Sequence, residues 1–404
     1  MNTEYLIVGA GVAGTTAAEA IRSRDAHGTI VLVGDEHHPL YSRVMLPMVA
    51  DRRIPPEKAL LKTEGWYGEH GIMFLRGRRV ARFDGVARRA VLEDGMEIAF
   101  GRALVATGGR PRRLDVPGVR LPGVFRLQYL EDAIGLRDGA RGDAVVVGGG
   151  FIGLEFMNAF RHYGLPTTLA LREPRIWEHL LPPAASAFLE AHLEGNGIGI
   201  LRDTVPVGFV GDERVEAVRF SGGTTVRADT VGVGIGLEPN LHFLENVERS
   251  ARGVMVNEFL ESPTAGIFAA GDIAEFLDLS AGHRHALGNW YNAREQGRTA
   301  GLNMAGERTP YHQVSSYSIT ALGMNVAFIG DVNHEGHETV PRVTDDSYGL
   351  LFLRGGKLRG GIFMNRIPDR KPTLELIRRG TVVSGHVAQL ADAAFDLAQL
   401  SSTI

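Results

Sequence analysis

Six glycines carry the first chemistry legible in this chain. Gly9, Gly11 and Gly14 stand in the spacing G-x-G-x-x-G, and Gly148, Gly150 and Gly153 repeat it. The first glycine of such a set permits a tight turn, the second lets backbone approach a pyrophosphate, and the third lets a helix pack closely on a strand. The phosphates then face a helix N-terminus, where free N–H groups and the helix dipole favour an anion. The spacing means little outside a strand–turn–helix setting. Both copies have that setting: EYLIVGAGVAGTTAAEAIRS (4–23) and DAVVVGGGFIGLEFMNAFRHYG (143–164) each read as a buried strand, a glycine turn and a helix. A second strand, TIVLVGDE, follows the first copy and ends in Asp35 and Glu36, acids suited to accept hydrogen bonds from a ribose. TTLALREPR follows the second copy. The sequence therefore predicts two dinucleotide-binding units.

The elements that position these cradles must come from a chain of 404 residues, long enough for two or three domains. Its 52 glycines are nearly double the usual share of about 7% and lack collagen periodicity, which points to tight turns and close backbone approach to ligands. A formal charge of −4 and the lack of a long basic run give no pull toward nucleic acid. No run reaches the roughly 18 apolar residues of a membrane span, and MNTEYLIVGAGVAG reads as strand and turn rather than as a leader, so the expected compartment is the cytoplasm. The chain has no cysteine, which removes disulfides, zinc–thiolate sites and cysteine-ligated iron–sulfur clusters as its own chemistry.

With both fingerprints placed, the chain resembles the two-dinucleotide-domain flavoproteins: ferredoxin and rubredoxin reductases, the flavin portion of NADH-dependent nitrite reductase, and disulfide reductases. The resemblance spans residues 4–306 through further motifs in order. LVATGGRPR, with Ala106, Thr107 and Gly108, resembles the segment where the chain first leaves the flavin domain, and VGVGIGLEPN (231–240) the return crossing. TAGIFAAGDIA, with Gly271 and Asp272, resembles the second flavin signature, whose aspartate would bind the ribityl chain. NWYNAREQGRTAGLNMAG resembles the next helix, whose start at Asn289 and Trp290 would approach the isoalloxazine.

The resemblance implies FAD and NAD(P)H as cofactors and an α/β fold: two Rossmann-like domains, one inserted in the other, plus a C-terminal α+β domain. The implied boundaries are 1–112 and 232–310 for the flavin domain, 113–231 for the NAD(P) domain and 311–404 for the C-terminal interface domain. Arg43 resembles the arginine that reaches the adenosine side of the flavin. Phe151 stands where relatives place an aromatic gate over the nicotinamide pocket, and Glu155 matches the glutamate that positions the carboxamide, so these two are the candidate catalytic residues. Core packing is the alternative for Phe151 and for Trp290.

Two departures matter. Where NADH-preferring relatives end the strand after the second fingerprint in an acid, this chain has Leu171, then Arg172 and Arg175. The arginine pair suits a 2′-phosphate and so NADPH; Glu173, read as the strand-end acid, suits NADH. Within YSRVMLP (41–47), Val44 stands near the place of the redox cysteine of disulfide reductases. Electrons are then expected to leave the flavin directly, to a ferredoxin- or rubredoxin-like carrier, or to move between the flavin and iron–sulfur subunits of a larger complex. A homo- or hetero-oligomer is compatible with either. HHP (37–39) and HEGH (334–337) lack metal-site spacing, and no metal is expected. GRRVAR (77–82) reads as a solvated cluster or a dock for an acidic partner, and VAQLADAAFDLAQL (387–400) as one helical stripe packed on its own domain or, alternatively, lining a subunit interface.

Overall fold

The structure is a computed structural model and describes residues 1–279, 281–332 and 336–403. The chain forms two compact units. One contains Met1–Val44, Glu57–Arg110 and Leu237–Gln313; the other contains Met45–Pro56, Pro111–Gly236 and the chain from Val314 onward.

The first unit is built on a largely parallel sheet. Asn2–Val8 lies at its centre, between Ile30–Gly34 on one side and Glu97–Val105 on the other, and Ile72–Arg76 pairs beyond Ile30–Gly34. Residues 5–8 and 30–33 are buried on both faces, which is why they read as continuous apolar runs rather than as alternation. The helix Val12–Arg24 follows the central strand. It lies against the helix Trp290–Met304, and the approach depends on small residues: a Cβ on Gly297 would fall 2.2 Å from the Ala13 carbonyl oxygen, and one on Gly301 2.5 Å from that of Ala17.

The second unit repeats the grammar. Its parallel sheet runs Ile198–Leu201, Thr167–Ala170, Ala144–Val147, Thr230–Val233, Val124–Phe125, with the helix Phe151–His162 leaving the central strand. From Ser316 the same unit adds a five-stranded antiparallel sheet, including a hairpin of Tyr348–Arg354 and Lys357–Met364, covered by the helix Arg370–Arg379. Asn158, on the helix Phe151–His162, joins the two layers by donating to the Thr320 carbonyl at 2.6 Å and accepting from the Leu322 N–H at 2.8 Å.

The single C-terminal helical stripe is corrected. Val387–Ala391 and Ala398–Thr403 are two short helices. Between them Asp392 accepts from the Ala394 N–H and Asp396 from the Ala398 N–H, so two local side-chain bonds replace helical backbone bonds. The segment does pack on its own unit, with Leu390 and Leu397 buried beside Leu376 and Ile377.

Candidate functional site

Each cradle is assembled by steric need. A Cβ on Gly9 would fall 2.2 Å from the Ala106 carbonyl oxygen, and one on Gly14 1.9 Å from that of Gly9. Strand end, helix start and the Ala106–Thr107–Gly108 stretch are thus drawn together at glycine distances. Gly11, by contrast, faces open space and is the N-cap of Val12–Arg24, with no side-chain cap and no acid in the first turn. The second cradle matches it. A Cβ on Gly148 would lie 2.5 Å from the Gly234 carbonyl oxygen, one on Gly153 2.0 Å from that of Gly148, and Gly150 caps Phe151–His162 without a side-chain partner or an acid. Uncapped N–H groups at the start of a helix, with backbone room beside them, fit a diphosphate.

Around the first cradle, Glu36 organises the segment YSRVMLP (41–47). Its two carboxylate oxygens accept from the Tyr41 hydroxyl at 2.5 Å and from Arg43 Nη2 at 2.6 Å, and the guanidinium stands 5.4 Å from the Tyr41 ring centre. Asp35 is exposed and paired with Arg79 at 3.0 Å. Burial pushes the Asp272 carboxyl up, opposed by the Arg43 charge. Gly271 before it has a φ of +82°. A Cβ on Gly288 would sit 3.1 Å from that carboxylate, so this stretch approaches it at glycine distance too. Asn289 is the N-cap of Trp290–Met304 and accepts from the Asn292 N–H at 2.8 Å, while Trp290 is half-buried rather than core. Ala106 is buried, Thr107 is half-buried and Gly108 faces open space.

Around the second cradle, Phe151 is the first residue of its helix. Its ring meets Trp177, Tyr317 and Phe328 edge-on at centroid distances of 5.5, 5.6 and 5.2 Å. Trp177, a residue that sequence reading passed over, has a φ of +53°, an uncommon backbone state for a bulky side chain and one found at ligand clamps. Its loop is held by the buried Glu190, which accepts from the Ile176 N–H at 2.7 Å. Glu155, one turn along the helix, has its carboxyl pushed up to about 7 by burial; the Asn158 amide and Arg53 oppose the shift and Asp51 adds to it. Arg53 is itself committed to the buried Asp51 at 2.6 Å. No motif marks Asp51 or Arg53, and only the fold brings them near Glu155.

The strand Thr167–Ala170 ends one residue before Leu171, which is buried with its side chain beneath Gly149. Arg172 pairs with Glu173 at 2.7 Å and Arg175 with Glu178 at 3.4 Å. The basic cluster at 78–82 is neutralised by distant acids: Arg78 by Asp94, Arg79 by Asp35 and Arg82 by Glu245. This removes the excess charge on which docking an acidic partner would rest. Among the described residues, His37 and His38 belong to no group of three or more closely spaced metal-ligating side chains. His334 and Glu335 of the HEGH stretch lie outside the described residues.

The family model for pyridine nucleotide-disulphide oxidoreductases matches residues 3–297. The chain belongs to that family. It is an oxidoreductase whose cofactors are FAD and a nicotinamide dinucleotide, and without cysteine it has no redox disulfide of its own. It is 30% identical over 403 residues to the biphenyl dioxygenase system ferredoxin–NAD(+) reductase component of Paraburkholderia xenovorans (strain LB400), covering 98% of this chain and 97% of that one. It is 34% identical over 335 residues to the p-cumate 2,3-dioxygenase system ferredoxin–NAD(+) reductase component of Pseudomonas putida, covering 81% of each. The solved covalent putidaredoxin reductase–putidaredoxin complex shares its fold with a TM-score of 0.92 at 27% identity, over 99% of this chain and 98% of that one. No helix among the described residues is long and apolar enough to cross a membrane.

Proposed function

We propose that this protein is the reductase of a short electron-transfer chain, oxidising NADH at FAD and delivering electrons to a small iron–sulfur carrier of the ferredoxin class. The observation that carries the reading is the pair of uncapped glycine cradles in a chain with no cysteine. Bound FAD would accept the electron pair as a hydride and release electrons singly, which is what coupling a nicotinamide to a one-electron carrier requires. Residues 1–112 and 232–310 hold the flavin, 113–231 the nicotinamide dinucleotide, and 311–404 form the C-terminal domain. The cytoplasm, where NADH is available, is the compartment that suits this work.

The residue roles follow from local chemistry. Gly9, Gly11 and Gly14 receive the flavin diphosphate, Glu36 with Asp35 serves its ribose, and Arg43 and Asp272 hold the chain between. Gly148, Gly150 and Gly153 receive the second diphosphate. Phe151 and Trp177 wall the nicotinamide side, and Glu155 orients the carboxamide. Orientation is the main demand on a direct transfer, since well-placed reactants gain several kcal/mol over free encounter. NADH is preferred to NADPH because Arg172 and Arg175 each already face a carboxylate, and Glu173, just past the end of the strand Thr167–Ala170, is an acid able to accept from a ribose hydroxyl. Comparing the rates at which NADH and NADPH reduce the flavin tests this choice; a faster reaction with NADPH reverses it.

Glu155 gives a pH prediction with a definite sign. A carboxyl raised from 4.5 to about 7 in the folded state binds its proton more tightly folded than unfolded. Its favourable contribution is complete below pH 4.5 and is lost as pH rises through about 7. Glu155→Gln should therefore gain stability relative to the parent as pH rises through that window. Urea unfolding at several pH values checks it, and a pH-independent difference between the two proteins contradicts it.

A further inference from the structure

Gln296, in the second turn of the helix Trp290–Met304, is fully buried. Its Oε1 accepts from the Gly271 N–H at 2.8 Å. That bond fixes which end of the amide is oxygen, and the other end, Nε2, is buried with no hydrogen-bond partner among the described residues. Proteins seldom leave a buried donor unmet, and when they do the missing partner is commonly a ligand or a trapped water.

The position of this donor says which ligand. Gly271 precedes Asp272, and a Cβ on Gly271 would lie 3.2 Å from the Ala13 Cβ and 3.5 Å from that of Ala293. Gly297, the next residue after Gln296, is packed on the Ala13 carbonyl at glycine distance. Ala13 is the second residue of the helix that begins the first cradle. The Gln296 amide thus stands where the cradle helix, the Gly271–Asp272 turn and the helix Trp290–Met304 meet. A buried place of this kind tolerates a neutral donor far better than a cation, which would lose its hydration.

We propose that Gln296 is a positioning residue for FAD: Oε1 holds the Gly271 turn, and Nε2 donates to the ribityl–diphosphate part of the cofactor, directly or through one water that the cofactor locks in place. The proposal rests on the assignment of FAD to the first cradle.

The test uses full-length protein stripped of flavin and titrated with FAD by fluorescence, with thermal unfolding of the stripped protein recorded beside it. Gln296→Glu keeps an oxygen for the Gly271 N–H but loses the donor when ionised; Gln296→Met loses both. The expected result at about pH 8 is an FAD Kd raised at least about tenfold in each variant. On lowering the pH, Gln296→Glu recovers affinity as its carboxyl regains an O–H, and Gln296→Met does not. An FAD Kd within about twofold of the parent in Gln296→Glu at the higher pH overturns the proposal, as does an equal, pH-independent loss in both variants matched by lower stability of the stripped proteins. Failure of the parent itself to bind FAD overturns the flavin assignment, and this proposal with it.

Discussion

Gly153→Ala should nearly abolish reduction by NADH while the protein stays yellow. The added Cβ would stand 2.0 Å from the Gly148 carbonyl oxygen, a backbone atom that no side-chain rotation can move. The helix Phe151–His162 must then lift off its strand, taking with it the cap Gly150, Phe151 and, one turn on, Glu155. A displacement on the order of 1 Å in a positioned site costs about 100-fold in rate, and overpacking costs about 1–3 kcal/mol of stability. The expected result is a fall in kcat/KM for NADH of about 100-fold or more with flavin content unchanged. Gly14→Ala, with its Cβ 1.9 Å from the Gly9 carbonyl oxygen, should do the converse and lose the flavin. Stopped-flow reduction and the ratio of flavin to protein absorbance separate the two outcomes. Loss of flavin in Gly153→Ala, or full activity in it, would contradict the assignment of one cofactor to each cradle.

The largest stability effect should come from a residue that belongs to neither cradle. Arg342 is fully buried, and its guanidinium donates to Asp369 at 3.0 Å, to the Leu390 carbonyl at 2.6 Å and to the Phe395 carbonyl at 2.7 Å. Burial pushes its pKa down and the Asp369 charge opposes that. Asp369 also receives Arg366 at 2.8 Å, and Arg366 reaches the Ala393 carbonyl. Two arginines therefore pin the turn between the two short C-terminal helices to the antiparallel sheet. Arg342→Met keeps much of the volume but leaves those carbonyls without a donor. Asp369 keeps Arg366, so the cost comes from the Leu390 and Phe395 carbonyls, each worth about 1–3 kcal/mol when left unmet. The second unit should lose that much in urea unfolding, with early proteolysis near residues 387–397. A loss under about 1 kcal/mol would show that water meets the carbonyls instead.

The cradles were legible in the sequence because their logic is local. Strand, glycines and helix are contiguous, and the steric demand on each glycine is met within a few residues or by a motif such as Ala106–Thr107–Gly108. What sequence reading missed lies in side chains whose partners are distant in the chain. Nothing near Gln296 announces Gly271, nothing near Arg342 announces Asp369, and Arg78, Arg79 and Arg82 look like free charge until Asp94, Asp35 and Glu245 come beside them. Trp177 and Asp51 belong to the same class. The broken C-terminal helix is a different case: Asp392 and Asp396 are ordinary turn-forming residues, and the apolar stripe outweighed a signal that was already there.

In the proposed reaction a nicotinamide dinucleotide at the second cradle delivers electrons to a flavin at the first. Anaerobic titration of the flavin-loaded protein with NADH, and separately with NADPH, tests it most directly through the loss of oxidised-flavin absorbance. Rapid, stoichiometric bleaching by NADH and a slower reaction with NADPH are the expected result. Flavin that stays oxidised in the presence of both nucleotides would contradict it.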